Sequence, residues 1–500
     1  MKLQRKPFFT SSRQALGKVL IGIAALQLTG CVVGPKYHAP AVQAPPAYKE
    51  LGNWKPAQPN DRNLGGTWWT IFQDPQLDAL ELQIKVSNQN LKAAEAQFQQ
   101  ARAVLRYYRA DYYPTVTVDP SATRTRVSAN APTSTVLRGT TYNDFALPFD
   151  VSYEADVWGR VRKTVESYRE QAQASAADLA TVNLSIHANL AVDYFQARSL
   201  DAEEQLLNTT VTQYEQALQL TESRFQGGVA SEVEVEQAKT ILQTTRAQAV
   251  DVGVARAQYE HAVAILIGKP PAEFSLPPLP LTAPPPHVPI DVPSELLERR
   301  PDIAAAERLV ASANAQIGVA QSAYYPTINL GGSGGFESSA ITTLINGPSG
   351  LWSFGLSAVG TVFDVGRRHA LTDQARAAYD AQVANYRQSV LNGFQQVEDN
   401  LAAVRILENE AQVQDEAVVA AQHSLDLSIT RYKGGVTSYL EVITAQNAAL
   451  ADEVTAVNIL GRRMANTVLL IQALGGGWDR SNLPQHPECC GKLASNTGSK

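Results

Sequence analysis

Methionine and cysteine are almost absent from this chain, with two of the former and three of the latter in 500 residues. So little thioether makes a soft-ligand site for copper or silver in this component a poor reading. The cysteines are Cys31 and the vicinal Cys489-Cys490, and adjacent thiols without a second pair are a poor metal site. A basic surplus is missing too: the net charge is −6, which argues against nucleic acid as a partner. The seven histidines are scattered, with no two at the i, i+4 spacing of a metal site, and there is no Walker motif and no nucleophile triad. Gly331-Gly332-Ser333-Gly334-Gly335 lies on or beside a strand and opens no helix, so it is no phosphate loop. Catalysis and a bound cofactor or metal are therefore not expected. With 44% hydrophobic and 18% charged residues the chain is nonetheless a folding one.

What the chain does have is a duplication. Tyr112-Tyr113-Pro114-Thr115-Val116 returns as Tyr324-Tyr325-Pro326-Thr327-Ile328, and Ser223-Arg224-Phe225-Gln226-Gly227-Gly228-Val229 as Thr430-Arg431-Tyr432-Lys433-Gly434-Gly435-Val436. A period of roughly 210 residues is too long for a solenoid unit, whose repeats run to roughly 50. The halves are read as 67–268 and 294–478, joined by a Pro-rich extended connector, 269–293, and followed by a disordered polar tail, 479–500.

The first thirty residues read as an export signal. A basic segment (Lys2, Arg5, Lys6, Arg13, Lys18) precedes the apolar run Val19 to Leu26, too short to span a membrane at roughly 20 residues. It ends in Leu28-Thr29-Gly30-Cys31, which resembles the lipobox of bacterial lipoproteins. That assigns 1–30 to a lipoprotein signal peptide, makes Cys31 the acylated first residue, and makes 31–66 a Pro-rich tether. Val32, rather than Asp, follows the cysteine, as in lipoproteins sent to the outer membrane.

Each half carries two strands, expected at about 115–127 and 142–155, and at about 326–337 and 351–363. Phe145, Leu147, Phe149, Val151 and Tyr153 alternate with Ala146, Pro148, Asp150, Ser152 and Glu154; Trp352, Phe354, Leu356, Ala358, Gly360 and Val362 alternate with small or polar residues. Strands that cross a membrane need about 9–11 residues and show this dyad pattern, although a soluble sheet with one wet face alternates in the same way. Pro148 sits awkwardly inside its strand, because it cannot donate to a ladder. One helix is expected from Pro75, capped by Asp74, through Leu91 and Phe98 towards Tyr112. After each strand pair, about Arg160 to Arg224 and about Arg367 to Arg431, the chain runs free of Pro and Gly except for Gly393. At ~1.5 Å per residue each helix reaches roughly 100 Å and needs a partner along its length. Each breaks at Gly227-Gly228 or Gly434-Gly435 and returns as a shorter helix, about Glu232 to Ile267 and about Tyr439 to Leu474. Four strands cannot close a barrel, whose minimum is about eight, and lipid does not tolerate open edges. Three chains would supply twelve strands. The expected fold class is α+β, with four strands per chain and a trimer as the expected assembly.

Three further stretches carry a resemblance: Glu298-Arg299-Arg300-Pro301-Asp302-Ile303, Asp156-Val157-Trp158-Gly159-Arg160, and Ala473-Leu474-Gly475-Gly476-Gly477-Trp478. With the Tyr-Tyr-Pro-Thr pair, they make the chain similar to the TolC-like outer-membrane factors, in particular the NodT-type lipoproteins of resistance-nodulation-division efflux systems. The resemblance spans about Pro35 to Trp478. It implies a trimeric twelve-stranded transmembrane β-barrel continued by a long periplasmic α-helical barrel. Such a fold is a homotrimeric duct in the outer membrane of a Gram-negative bacterium, held by outer-membrane lipid, reaching into the periplasm, and loaded by a periplasmic adaptor and an inner-membrane pump. The resemblance also implies that the two Gly-Gly turns are docking tips, with Arg224, Gly228, Val229 and Ser231, and Arg431, Gly435, Val436 and Ser438, facing the adaptor. Ser231 and Ser438 are expected to cap the returning helices. Related ducts close with a pattern like Leu-x-x-x-Asp-x-x-Arg. Here the matching run keeps Leu440 but has Thr444 and Asn447 at the Asp and Arg positions. The expected gate is thus a Leu440 constriction with an acidic entrance from Glu441, Glu232, Glu234 and Glu236, favouring cations by field. A type I protein-secretion duct and a non-conducting structural lipoprotein of the envelope are the alternatives to efflux.

Overall fold

The computed structural model describes residues 32–51, 66–130, 132, 138–288 and 297–485. The signal peptide, Cys31, part of the connector, and Cys489 and Cys490 lie outside the described residues. Among the described residues, no helix is long and apolar enough to cross a membrane.

The single expected helix after Asp74 is two, α1 (Pro75–Ser87) and α2 (Gln89–Arg109). Asp74 caps α1, accepting from the Gln76 and Leu77 amides at 2.9 and 3.1 Å. The break falls at Asn88, whose extended backbone starts a new helix and whose side-chain Oδ1 accepts from the Leu91 amide at 2.9 Å. Its side-chain amide donates to the Leu266 carbonyl at 2.7 Å, so tertiary contact rather than a helix breaker sets the boundary.

One antiparallel sheet follows, in the order β1 (Thr115–Val118), β3 (Thr141–Ala155), β4 (Thr327–Ser338), β5 (Gly350–Val359), with β2 (Ser121–Arg126) also on β3. Val118 pairs with Phe149 and Ser121 with Ala146, so the register crosses the gap unchanged. β1 and β2 are one strand interrupted at Asp119-Pro120, directly beside Pro148. Two residues without an amide hydrogen meet there, and the ladder breaks. On the other side of β3 the ladder to β4 is continuous. Gly335 permits it: a Cβ there would stand 2.2 Å from the Leu147 carbonyl oxygen. β5 stops at Val359, short of the expected 363, because the next residue falls opposite Pro326, which has no donor to offer.

The register sorts the faces. Val116, Val118, Phe149, Val151, Leu330, Trp352, Phe354 and Leu356 share one, and Asp150, Ser152, Glu154, Asn329, Ser333, Ser353 and Ser357 the other. Among the described residues most of the apolar face is left uncovered, with Trp352 83% exposed, while Tyr153 at its foot is buried.

Two helices of 67 residues, α3 (Arg160–Gln226) and α6 (Arg367–Lys433), descend from the sheet. Each turns back as a 35-residue helix, α4 (Glu232–Leu266) and α7 (Tyr439–Ala473). A fifth long segment, α5 (Pro301–Ser322), packs on α3 and α6. The principal core lies at the waist, where Trp68, Trp69, Leu77, Ile84, Leu190, Tyr194, Val468 and Ile471 meet. Two of the stretches behind the family resemblance touch each other there. Arg300, buried, donates to the Ala473 carbonyl at 3.0 Å, to Gln396 at 2.8 Å and to Asp302 at 2.6 Å. Gly475, at φ +93°, lies against the Arg299 carbonyl.

The waist also buries a titratable pair. His187 stacks on Trp69, ring centroids 4.5 Å apart, and its Nδ1 lies 2.5 Å from Glu81 Oε2. Burial, with Asp78 nearby, pushes the Glu81 carboxyl up to about 9, and burial with Lys85 pushes His187 down to about 4. The folded pair therefore holds one proton from about pH 4 to about pH 9. Unfolded, with ordinary values of 4.5 and 6.5, it holds one proton between those pH values and none above. Its stability contribution is flat from pH 4.5 to 6.5, then falls by ~1.4 kcal/mol per unit as pH rises toward 9. Denaturant unfolding between pH 6.5 and 9 should show this decline in the wild type and lose it in the Glu81→Met/His187→Phe double variant. An equal decline in both would refute the assignment.

Candidate functional site at the helix tips

The two reversals are built alike. In each a glycine with positive φ, Gly228 at +72° and Gly435 at +74°, follows the last helical turn. The Gly228 amide donates to Phe225 and the Val229 amide to Arg224, both at 2.9 Å; Gly435 to Tyr432 and Val436 to Arg431 repeat this at 3.0 Å. This paired closure satisfies the helix-end carbonyls, and the left-handed glycine makes it possible without Cβ strain. Val229 and Val436, 69% and 70% exposed, stand at the two extremities.

Past the turns the copies diverge. Arg224 crosses from its own tip to the other, its guanidinium 4.6 Å over the Tyr432 ring and donating to the Lys433 carbonyl at 3.2 Å. Glu234 is then left to close a capping box with Ser231, the two amide-to-side-chain bonds measuring 3.3 and 3.4 Å. In the second copy Arg431 pairs instead with Glu441 at 3.5 Å. Ser438 makes no side-chain cap, contrary to the sequence expectation.

The acidic and gate residues fall partly together. A groove of about 680 Å³ between the starts of α4 and α7 is lined by Glu232, Val233, Glu236, Leu440, Ile443 and Asn447. Val233 and Leu440 are equivalent positions of the two repeats, so the groove floor is the duplication meeting itself. Glu234, Glu441 and Thr444 do not line it; the Thr444 hydroxyl donates to the Leu440 carbonyl at 2.9 Å. Glu236 is offset by Lys239 at 2.8 Å, which leaves Glu232 as the principal source of negative field in the groove.

Sequence reasoning did not single out Tyr432 and Tyr439. Both are buried, ring centroids 5.2 Å apart, and burial beside Tyr432 pushes the Tyr439 hydroxyl up to about 12. The one signal for them was the replacement of Phe225 by Tyr432 at the repeated position. Among the described residues no cluster of three or more His, Cys, Asp or Glu is placed to hold a metal.

At the opposite end, the strand–helix junction holds the start of the tether. The Val33 amide donates to the Trp158 carbonyl at 3.0 Å, and Val32 packs on Gly159. From there residues 32–51 run down α5 and α6, with Tyr37 bonded to Glu307 and Glu50 to Arg405.

A family model described as outer membrane efflux protein matches residues 82–269 and 292–476. The cation efflux system protein CusC of Escherichia coli O6:H1 is 31% identical over 474 residues, covering 93% of this chain and 99% of that protein. The antibiotic efflux pump outer membrane protein ArpC of Pseudomonas putida is 32% identical over 462 residues, covering 92% and 95%. Among solved structures, the outer-membrane channel OprN superposes with a TM-score of 0.84 at 29% identity, over 90% of this chain and all of that one. The open-edged sheet, the paired long helices and these likenesses together make the chain a member of the outer membrane efflux protein family, an outer-membrane efflux channel.

Proposed function

We propose that three copies of this chain assemble into a passive exit duct, and that its tips dock a periplasmic adaptor bound to an inner-membrane resistance-nodulation-division pump. The observation that carries this reading is the sheet. Among the described residues it has two unpaired edges, β1–β2 and β5, and an apolar face that is largely bare. Lipid admits such a sheet only when its edges are paired, and three copies supply twelve strands. The helices support the same assembly, since Leu391, Ile406, Val413, Val419 and Leu427 stay exposed along α6. No chemistry is assigned to the chain; relatives named for cations and for antibiotics are equally similar, so substrate selection is assigned to the pump.

The anchor follows from the tether. Val32, the residue after Cys31 in sequence, packs on Gly159 at the foot of the sheet, which supports an acyl anchor in the inner leaflet of the outer membrane. A photo-crosslinking residue at Val229 tests anchor and docking together, and leaves the Ser231 cap intact. Intact mass should show acylation of the mature chain at Cys31, and irradiation in cells should capture an adaptor and, through it, a proton-driven pump. Capture of an ATP-driven exporter would move the reading to protein secretion, and capture of nothing but the chain itself would remove the docking role.

At the gate, Leu440 forms the constriction and Glu232 supplies the field. Leu440→Ser should raise single-channel conductance in planar bilayers several-fold. Unchanged conductance would remove Leu440 from the gate.

A further inference from the structure

The internal duplication allows a contact between copies to be read from a contact within one. At the foot of the sheet, the chain leaves β3 through Trp158 and starts β4 through Tyr325-Pro326. Trp158 stacks on Tyr325, centroids 4.7 Å apart and planes 23° from parallel, and its Nε1 donates to the Pro326 carbonyl at 2.9 Å. The end of one repeat is thereby joined to the beginning of the other. The matching end of the second repeat is Val365. It and Trp158 each precede the glycine that opens a 67-residue helix, Gly159 and Gly366, both at φ 84°. The matching beginning is Tyr113-Pro114. Within one chain these two cannot meet, because β1 and β5 are opposite edges of the sheet, three strand spacings or roughly 14 Å apart.

Both sides of the missing contact are bare. Val365 is 85% exposed and Tyr113 72% exposed. Val362 and Phe363, in the same loop, are 97% and 82% exposed. Val365 also holds φ +53°, a left-handed conformation that is an outlier for a β-branched residue and persists only where surroundings enforce it.

We propose that Val365 of one copy seats on Tyr113 of the next, continuing the edge pairing of β5 with the β1–β2 strand of that copy. The contact is head-to-tail, and three repetitions close the ring. It rests on the trimeric reading and adds to it the surface, its polarity and the residues that meet. The Val365 side chain offers no ring to stack and no donor for the Pro114 carbonyl, so the joint between chains is an apolar seat where the joint within the chain is stacked and hydrogen-bonded.

Cysteine pairing tests this in the full-length chain with Cys489→Ser and Cys490→Ser as background. Under mild oxidation, Val365→Cys combined with Tyr113→Cys should move most of the chain into covalent dimers and trimers on denaturing gels. Either substitution alone should leave monomers. Native mass spectrometry of the same detergent-solubilised samples reports whether the assembly is trimeric. A trimer that yields only monomers on denaturing gels would overturn the contact and leave the trimer standing. Absence of a trimer in the unsubstituted protein would overturn both.

Discussion

Gly475→Ala is expected to cost about 2–6 kcal/mol, enough to deplete the folded channel from the membrane. Two penalties add. The backbone at φ +93° is one that side-chain-bearing residues rarely adopt, at a cost of about 1–3 kcal/mol. The new Cβ would also stand 2.1 Å from the Arg299 carbonyl oxygen, and forcing that backbone aside costs about 1–3 kcal/mol more. The displaced strand of backbone carries Arg300, whose bonds to Ala473 and Gln396 tie α7 to α6. Gly366→Ala is the control: its φ of +84° is similar, but nothing stands within 4 Å of the position. Thermal melting should therefore rank Gly475→Ala well below Gly366→Ala, and equal melting temperatures would show that the overlap with Arg299 relaxes without cost.

Asp201→Leu is expected to destabilise the waist by about 3–5 kcal/mol, because it leaves the buried Arg198 without its counter-charge, whereas Arg256 keeps Glu260. Asp201 is fully buried and accepts from Arg198 at 2.8 Å, from Arg256 at 3.0 Å and from the Leu279 amide at 2.8 Å. Arg198 donates onward to the Pro277 carbonyl at 2.6 Å, and Arg256 to the Leu276 carbonyl. The cluster thus straps the Pro-rich connector onto α3. Losing it should open the segment 276–281 to protease as well as lower the melting temperature. A variant that melts lower but keeps the connector protected would separate the charge cluster from the strapping role.

The elements that were legible in the sequence are those whose signals are local. The 67-residue helices follow from long stretches without Pro or Gly, and the tips from Gly227-Gly228 and Gly434-Gly435. Alternation of Phe145 to Tyr153 gave β3 and its faces. What escaped depends on partners far away in the chain. The break at Asn88 is fixed by Leu266, and the connector looked like a bare spacer because the side chains that hold it are on α3 and α4. At the tips, the repeated residues were found but not their unequal use. Arg224 and Arg431 are the same residue type at the same place, yet one crosses to the ring of Tyr432 and the other pairs with Glu441. Of the four acidic residues singled out, Glu234 closes the Ser231 cap and Glu441 pairs with Arg431, partners that the sequence did not reveal.

The long-range ties between the helices bear on how fast this chain reaches its final form. Arg300 waits for Ala473, 173 residues later; Tyr214 for Gln446, 232 later; Ser199 for Val457, 258 later. Contacts of such sequence separation close late, because loop entropy must be overcome before they yield anything, and folding slows accordingly. During export, α3 emerges with Leu190 and Tyr194 ready to be covered, but α7, which brings Val468 and Ile471 to the same core, is the last long helix to arrive. Until it does, the half-built waist presents an adhesive surface to every other chain in the same compartment.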